Sequence, residues 1–127
     1  MNLNDIDRFK FSFLNALTGI RTAYKSQKNL RIHIVTGIFV IIIGIFLKVS
    51  ILEWLILLLT ILIVVITEMI NTSLEFTVDL CSAEYSKQAK RAKDVSAAGV
   101  LITAVFASII GAIIFLPKFL ELILNYK

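Results

Sequence analysis

Three long apolar stretches constrain the fold of this 127-residue chain more than any other feature. They predict membrane-spanning helices at about residues 32–48, 51–70 and 95–116. A bilayer's hydrocarbon core is about 30 Å thick and takes about 20 helical residues to cross, so the first two stretches are short. Flanking Arg31 and Lys48 can extend to the membrane surface and complete the fit. Only a tight turn separates these two spans, which predicts an antiparallel hairpin.

The composition supports the same class of protein. Hydrophobic residues make up 58% of the chain and charged residues 17%, against about 45–50% and about 25% in soluble domains. A soluble chain of this length could not bury so much apolar surface, so we predict an all-α integral membrane protein with one domain, residues 1–127. The single cysteine, Cys81, excludes an internal disulfide and a multi-cysteine metal site.

The segment before the first span has the pattern of an amphipathic helix. Residues 5–30 carry basic side chains on the surface left by a repeating apolar set, which predicts a helix lying on the membrane surface. The apolar set, spaced by three or four residues, is Phe9, Phe13, Ala16, Leu17, Ile20 and Tyr24.

Lysine and arginine are distributed unevenly between the two sides of the predicted bundle. Ten precede the first span or lie between the second and third spans, and three lie on the opposite side. Since basic residues are concentrated in cytoplasmic segments, we expect the N-terminus and the connection between the second and third spans in the cytoplasm. The predicted location is the plasma (inner) membrane, with no nucleic acid as a partner.

A row of polar residues follows the apolar part of the second span. Glu68, Asn71, Glu75 and Asp79 come directly after the apolar run 51–67. At about 100° per residue, Glu75 and Asp79 each lie about 20° from Glu68 around the helix, and Asn71 about 60° away. Glu68 alone could be an ordinary interfacial carboxylate. Together the four predict a functional site at the membrane edge, because carboxylates are costly to keep there.

Lys93 and Asp94 precede the third span and could complete this site. Lys93 is a compact cation of the kind that holds phosphate oxygens. Asp94 has an ordinary structural explanation as well, because a carboxylate in the first turn of a helix suits the helix dipole. The nearby basic residues, Lys87, Lys90 and Arg91, are interpreted as positive-inside residues.

Carboxylates beside a lysine at a membrane boundary indicate phosphate chemistry. Acidic side chains can hold Mg²⁺ while water and phosphate oxygens fill the remaining positions, and another carboxylate can act as a general base. The chain contains neither G-x-x-x-x-G-K-[ST] nor G-x-G-x-x-G, so no standard phosphate loop is present. His33, the sole histidine, is interpreted as an interfacial polar anchor.

These residues form a recognisable pattern. E-x-x-N-x-x-x-E begins at Glu68 and is followed by Asp79 and by the Ala-Lys-Asp run that ends at Asp94. This pattern resembles the small prokaryotic diacylglycerol kinase/undecaprenol kinase family. Residues 13–21 and 29–33 are similar to the undecaprenol kinase branch, and the likeness covers nearly the whole chain.

The resemblance implies a homotrimer of three-span subunits with active sites at the cytoplasmic membrane face. Glu68 would be the general base that takes a proton from a lipid hydroxyl as it attacks the γ-phosphate of ATP. Glu75 would be a Mg²⁺ ligand. The residues expected to bind or organise the nucleotide are Asn71, Asp79, Glu84, Ser86, Lys93, Asp94 and Arg8.

Three positions depart from the family pattern. Gln27 stands where the family has its second metal-ligating glutamate, and its amide oxygen can reach Mg²⁺ but brings no charge. Gln27 is therefore expected to be the second metal ligand, with the affinity and number of metals left open. Asn15 replaces an aromatic residue found in some relatives, and Ser86 replaces a histidine.

The function expected from the sequence is Mg·ATP-dependent phosphorylation of a membrane lipid alcohol, undecaprenol before diacylglycerol. A small transporter-like oligomer is the alternative from another class. Transporters are expected to place ionisable residues near the bilayer midplane, and here they lie at one end of a span. An inactive relative is a third possibility because of Gln27.

Overall fold

A computed structural model describes residues 5–81 and 86–124 of the chain. This part consists of four α-helices and contains no β-strand. The helices are α1 (Asp5–Ser26), α2 (Lys28–Phe46), α3 (Ile51–Cys81) and α4 (Lys87–Leu124). The predicted all-α class is confirmed, and α2, α3 and α4 are long and apolar enough to cross a membrane.

The break between α1 and α2 lies at Gln27, whereas the sequence predicted a surface helix that continued to residue 30. Gln27 has an extended backbone, with φ −107° and ψ 118°. Its N–H still donates to the carbonyl of Ala23 at 2.9 Å. This single extended residue ends α1 and lets α2 begin as a separate helix at Lys28.

Helix α1 leaves most of its apolar side chains uncovered. The rings of Phe9 and Phe13 stack with 6.5 Å between their centroids, and both side chains are exposed. Ala23 is the buried residue of this helix. An exposed apolar side with basic neighbours fits a helix that lies on a membrane surface.

The turn between α2 and α3 is held by main-chain hydrogen bonds at the end of α2. Val49 N–H donates to the Gly44 carbonyl at 3.1 Å, and Lys48 N–H donates to the Ile45 carbonyl at 3.2 Å. This pair of bonds is the Schellman motif, which requires a left-handed residue after the helix. Lys48 occupies that position with φ 50°. The short turn predicted from the sequence is therefore present.

Helices α3 and α4 form a long antiparallel pair with an ion pair at each end. Glu53 near the start of α3 pairs with Lys118 near the end of α4, with 3.1 Å between Oε2 and Nζ. Asp79 near the end of α3 pairs with Lys93 near the start of α4 at 2.5 Å. We call these two ends the hairpin end and the charged end, respectively. With 31 residues, α3 is about 46 Å long, which exceeds the hydrocarbon thickness of about 30 Å.

The apolar core lies toward the hairpin end of the bundle. Its buried members, Val49, Leu57 and Ile114, pack against partly buried neighbours that include Trp54 and Phe115. Toward the charged end the buried side chains of α3 become polar. They are Glu68, Asn71 and Thr72. The fold therefore places a polar interior at the charged end, next to the C-terminal end of the predicted second span.

The left-handed Lys48 generates a prediction about stability. A residue with a Cβ pays about 1–2 kcal/mol in this conformation and glycine does not. Lys48→Gly is expected to raise the free energy of unfolding by roughly 1 kcal/mol, seen as a higher thermal unfolding midpoint in detergent. Lys48→Ala keeps the Cβ and is the matched control. Equal stabilisation by both variants would show that the lysine side chain, not the backbone, causes the effect.

Candidate active site

Glu68 is the most unusual residue at the charged end. Its side chain is 1% exposed, and within the described residues neither carboxylate oxygen has a hydrogen-bond partner. One turn later on α3, the Thr72 hydroxyl donates to the main-chain carbonyl of Glu68 at 2.9 Å and not to its carboxylate. Burying an unpaired carboxylate costs several kcal/mol. A carboxylate kept in this state is available to accept a proton or a hydrogen bond from a ligand.

Glu68 is one of the residues that line a cavity between α2, α3 and α4. The cavity has a volume of about 260 Å³, and we call it the polar cavity. Helices α2 and α3 supply its polar wall, and α4 supplies an apolar wall of small and aliphatic residues. The lining residues are Asn29, His33, Glu68, Asn71, Glu75, Ala97, Val100, Leu101 and Ala104.

Glu75 is the centre of a hydrogen-bonded group on the same cavity. Gln27 Nε2 donates to Glu75 Oε2 at 2.8 Å, and Asn71 Nδ2 donates to Glu75 Oε1 at 3.1 Å. Asn71 Oδ1 is buried without a partner in the described part of the chain. The contact from Gln27 joins the break between α1 and α2 to α3, one turn beyond Asn71. The predicted metal ligands, Glu75 and Gln27, are therefore neighbours.

The donor set around Glu75 suits a hard cation only in part. A carboxylate and an amide oxygen are ligands of the kind that Mg²⁺ accepts, and Mg²⁺ usually takes one or two carboxylates plus phosphate oxygens and water. Rotation of the Gln27 amide would present its oxygen instead of its nitrogen. Among the described residues no group of three or more His, Cys, Asp or Glu side chains could hold a metal. Glu75 and Gln27 would thus hold Mg²⁺ together with a substrate, not alone.

Lys93 and Asp94 lie farther toward water, outside the polar cavity. Lys93 Nζ contacts Asp79 Oδ1 across the α3–α4 pair at 2.5 Å. Asp94 Oδ2 instead contacts Lys90 Nζ at 2.6 Å, one turn earlier on α4. Both partners of the Lys90–Asp94 pair are about 60% exposed, with 59% and 61% of the side chain accessible. Exposed pairs contribute little stability, so these charges remain available to a ligand.

Two further predicted site residues, Arg8 and Ser86, do not line the polar cavity. Arg8 is exposed on α1, and none of the described ion pairs or hydrogen bonds includes it. The Ser86 hydroxyl donates to Gln88 Oε1 at 3.1 Å and accepts from the Ala89 N–H at 3.5 Å, which suits the start of α4. Glu84 lies outside the described residues.

The structure adds Asn29 and His33, which the sequence interpretation did not include in the site. Both side chains line the polar cavity, and they are one turn apart on α2. His33, interpreted from the sequence as an interfacial anchor, thus also lines this cavity. Four-residue spacing of two polar side chains at the start of an apolar helix was the available signal, since such residues share one helix face.

The chain is similar in sequence to known proteins along most of its length. A family model described as prokaryotic diacylglycerol kinase matches residues 14–115. The chain is 39% identical over 115 residues to an undecaprenol kinase of Bacillus subtilis, covering 91% of this chain and 94% of the relative. It is 40% identical over 112 residues to a diacylglycerol kinase of Synechocystis, covering 87% and 64%. A diacylglycerol kinase of Escherichia coli K12 is 30% identical over 101 residues, covering 80% and 83%.

The contact between Gln27 and Glu75 generates a prediction about metal binding. Gln27→Glu replaces a hydrogen bond with two adjacent carboxylates. Without a divalent cation this is expected to lower the free energy of unfolding by about 1–3 kcal/mol, because a hydrogen bond is lost and like charges repel. Mg²⁺ should reverse the loss, and half-maximal stabilisation should need less Mg²⁺ than in the natural chain.

Thermal unfolding in detergent across a Mg²⁺ titration measures both effects. Gln27→Ala is the control, since it removes the hydrogen bond without adding a charge and should show no stronger response to Mg²⁺ than the natural chain. If Gln27→Glu also responded no more strongly than the natural chain, Glu75 and Gln27 would not be a cation site.

Proposed function

Because the chain belongs to the prokaryotic diacylglycerol kinase family, we propose that it transfers the γ-phosphoryl group of ATP to a membrane lipid alcohol. The observation that carries this proposal is Glu68, a buried carboxylate without a partner in the described chain. It lines the polar cavity, at the C-terminal end of the apolar part of α3. A lipid hydroxyl reaches such a position from the bilayer, whereas ATP reaches it from water. The polar row of Glu68, Asn71 and Glu75 on α3 connects the two environments, because Glu75 lies about 10 Å along the helix from Glu68.

Glu68 is the proposed general base. Its carboxylate takes the proton of the acceptor hydroxyl, and the electron pair of that oxygen forms a bond to the γ-phosphorus of ATP. The bond from the γ-phosphorus to the oxygen bridging it to the β-phosphate breaks, and ADP leaves with the electron pair. Phosphoryl transfer of this kind depends mainly on positioning and on neutralising charge. A buried base near the bilayer meets the first requirement.

The charged end supplies the second requirement. Glu75 and Gln27 would hold Mg²⁺, which would neutralise phosphate charge. Asn71 orients the Glu75 carboxylate through its hydrogen bond. Lys93 is a compact cation that can exchange its contact with Asp79 for a phosphate oxygen. The proposed nucleotide site therefore extends from Asn71 toward water, with Asp94, Arg8, Glu84 and Ser86 as further candidates.

Undecaprenol is the proposed acceptor and diacylglycerol the second candidate. Two relatives of nearly equal identity bear the two names, so identity alone does not choose between them. The undecaprenol kinase matches this chain almost end to end, with 94% of its length covered against 64% for the Synechocystis diacylglycerol kinase. The sequence pattern of residues 13–21 and 29–33 supports the same choice.

The proposed assembly is a homotrimer in the plasma membrane with the charged end in the cytoplasm. The excess of lysine and arginine at that end supports this orientation. Exposed small residues along α4, such as Ala98 and Ala112, permit another helix to approach closely and so support self-association. A transporter is a weaker candidate, because the carboxylates lie at one end of α3 and not at the middle of its apolar part.

The proposed reaction predicts a defined acceptor preference. Purified protein in detergent–lipid micelles, given γ-labelled ATP and Mg²⁺, should phosphorylate undecaprenol with a higher kcat/KM than diacylglycerol. Glu68→Gln keeps the size of the side chain and removes its basicity. It should lower kcat by about 100-fold or more, the usual contribution of a general base.

Glu53→Gln is the matched control, since Glu53 lies on the same helix at the hairpin end. It should retain activity close to that of the natural chain. A higher kcat/KM for diacylglycerol would reverse the choice of substrate. Full lipid phosphorylation by Glu68→Gln would overturn the assignment of the base.

A further inference from the structure

Two glycines let α2 approach α3 closely. Gly37 and Gly44 are both buried, and they lie seven residues apart on one side of α2. A Cβ atom added at Gly44 would lie 2.8 Å from Cη2 of the Trp54 ring. One added at Gly37 would lie 3.0 Å from Cγ2 of Ile61, which is seven residues after Trp54 on α3. The two helices therefore touch at two levels where α2 has no side chain.

The contact at Gly44 is a fixed one. Trp54 packs against the apolar core that contains Val49 and Leu57, so a displacement of its ring would disturb that core. The main chain of Gly44 is held as well, because its carbonyl accepts the Val49 N–H at 3.1 Å. Helix α2 is therefore anchored to α3 at the hairpin end.

The contact at Gly37 lies between this anchor and the candidate active site. The nearest Ile61 atom, Cγ2, is a methyl group bonded directly to the branched Cβ, so it can move away only if the side chain leaves its preferred rotamer. The other carbons of the same side chain, Cγ1 and Cδ1, are 3.8 Å and 3.9 Å away. A methyl group on residue 37 would therefore push α2 away from α3.

Helix α2 converts a small shift at Gly37 into a larger one at Gln27. At 1.5 Å per residue, Gly37 is about 10 Å from Gly44 along α2, and Gln27 is about 25 Å from it. A shift of about 0.5 Å would bring the contact with Ile61 to a favourable separation, and rotation about the anchor makes this about 1.2 Å at Gln27. Gln27 Nε2 lies 2.8 Å from Glu75 Oε2. Because hydrogen bonds of this kind reach only about 3.2 Å, the contact would be lost.

We propose that Gly37 is a positioning residue for the candidate active site. By letting α2 rest against Ile61, it holds Gln27 within hydrogen-bonding distance of Glu75. This inference rests on the proposed function, which assigns Gln27 and Glu75 to the cation, and it deepens that function by naming the residue that sets their separation. Gly37 has no side chain with which to bind a substrate, so it acts through the position of α2.

Helix stability alone does not explain a glycine at this position. Glycine within a helix is less stable than alanine, because it loses more backbone freedom on folding. Gly37→Ala therefore favours the helical state of α2 while it separates α2 from α3. A variant that folds but has lost the contact between Gln27 and Glu75 is the expected result.

A double-mutant cycle without metal, nucleotide or lipid alcohol tests this inference. In the natural chain, Gln27→Ala removes the hydrogen bond to Glu75 and should lower the thermal unfolding midpoint in detergent by about 4 °C. In a Gly37→Ala background that bond is already broken, so Gln27→Ala should lower the midpoint by less than about 1 °C. Equal effects of Gln27→Ala in the two backgrounds would overturn the inference.

Two further variants separate the position of α2 from a general effect of an added methyl group. Gly111→Ala adds the same group to α4, and outside that helix no atom of the described chain lies within 4 Å of the new Cβ. The effect of Gln27→Ala should be retained in that background. Adding Ile61→Ala to Gly37→Ala removes the methyl group that the new Cβ would meet and should restore the effect. Absence of this restoration, or loss of the effect in Gly111→Ala, would contradict the role of Gly37.

If Gly37→Ala does not fold, Ile61→Phe enlarges the other partner of the same contact and takes its place in the cycle. The effect of Gln27→Ala should again fall below about 1 °C. An undiminished effect there would count against the inference in the same way.

The Mg²⁺ requirement of the reaction connects this contact to the proposed function. Gly37→Ala should need about fivefold more Mg²⁺ for half-maximal lipid phosphorylation, the effect of one lost interaction, and Gly111→Ala should need no more than the natural chain. An unchanged requirement in Gly37→Ala would overturn its role at the cation site and leave lipid phosphorylation intact. Failure of the natural chain to phosphorylate either lipid would overturn the proposed function, whereas the cycle on Gln27 would still decide the role of Gly37.

Discussion

The burial of one carboxylate, Glu68, is the constraint on which the rest of the site depends. A side chain that is 1% exposed and has no partner in the described chain loses hydration without compensation. The packing of α2, α3 and α4 around the polar cavity must supply the free energy that keeps it there. The apolar core at the hairpin end contributes to this packing, since it holds α3 and α4 together away from the site.

The length of α3 and its pairing with α4 determine where the buried Glu68 lies between the apolar part and the charged part of the bundle. An ion pair lies at each end of the two helices, Glu53–Lys118 at the hairpin end and Asp79–Lys93 at the charged end. Because α3 is longer than the bilayer core is thick, its apolar part and its charged part can occupy different environments. One continuous helix can therefore present the proposed base to a lipid and the proposed nucleotide-binding groups to water without any loop between them.

Most of the architecture could be predicted from the sequence, and most contacts between helices could not. Helical periodicity and hydropathy identify the helices, and the stripe of Glu68, Asn71 and Glu75 follows from the period of 3.6 residues along one helix. Such spacing says nothing about which residue of another helix lies opposite. The pairing of Lys93 with Asp79 and the contact of Gln27 with Glu75 depend on tertiary packing. The extended backbone at Gln27 could not be predicted either, because no glycine or proline lies at this position.

The depth of Glu68 at the membrane boundary is the central claim, and a depth profile along α3 tests it most directly. In a Cys81→Ser background, spin labels attached through Leu59→Cys, Ile70→Cys and Phe76→Cys report outward-facing positions, since all three side chains are exposed. Collision rates with oxygen and with a water-soluble nickel complex, measured in lipid bilayers, give the depth of each label. We expect position 59 deep in the hydrocarbon, position 70 at the level of the headgroups and position 76 in water. A label at position 70 as deep as the one at position 59 would place Glu68 inside the bilayer and contradict a lipid kinase site there.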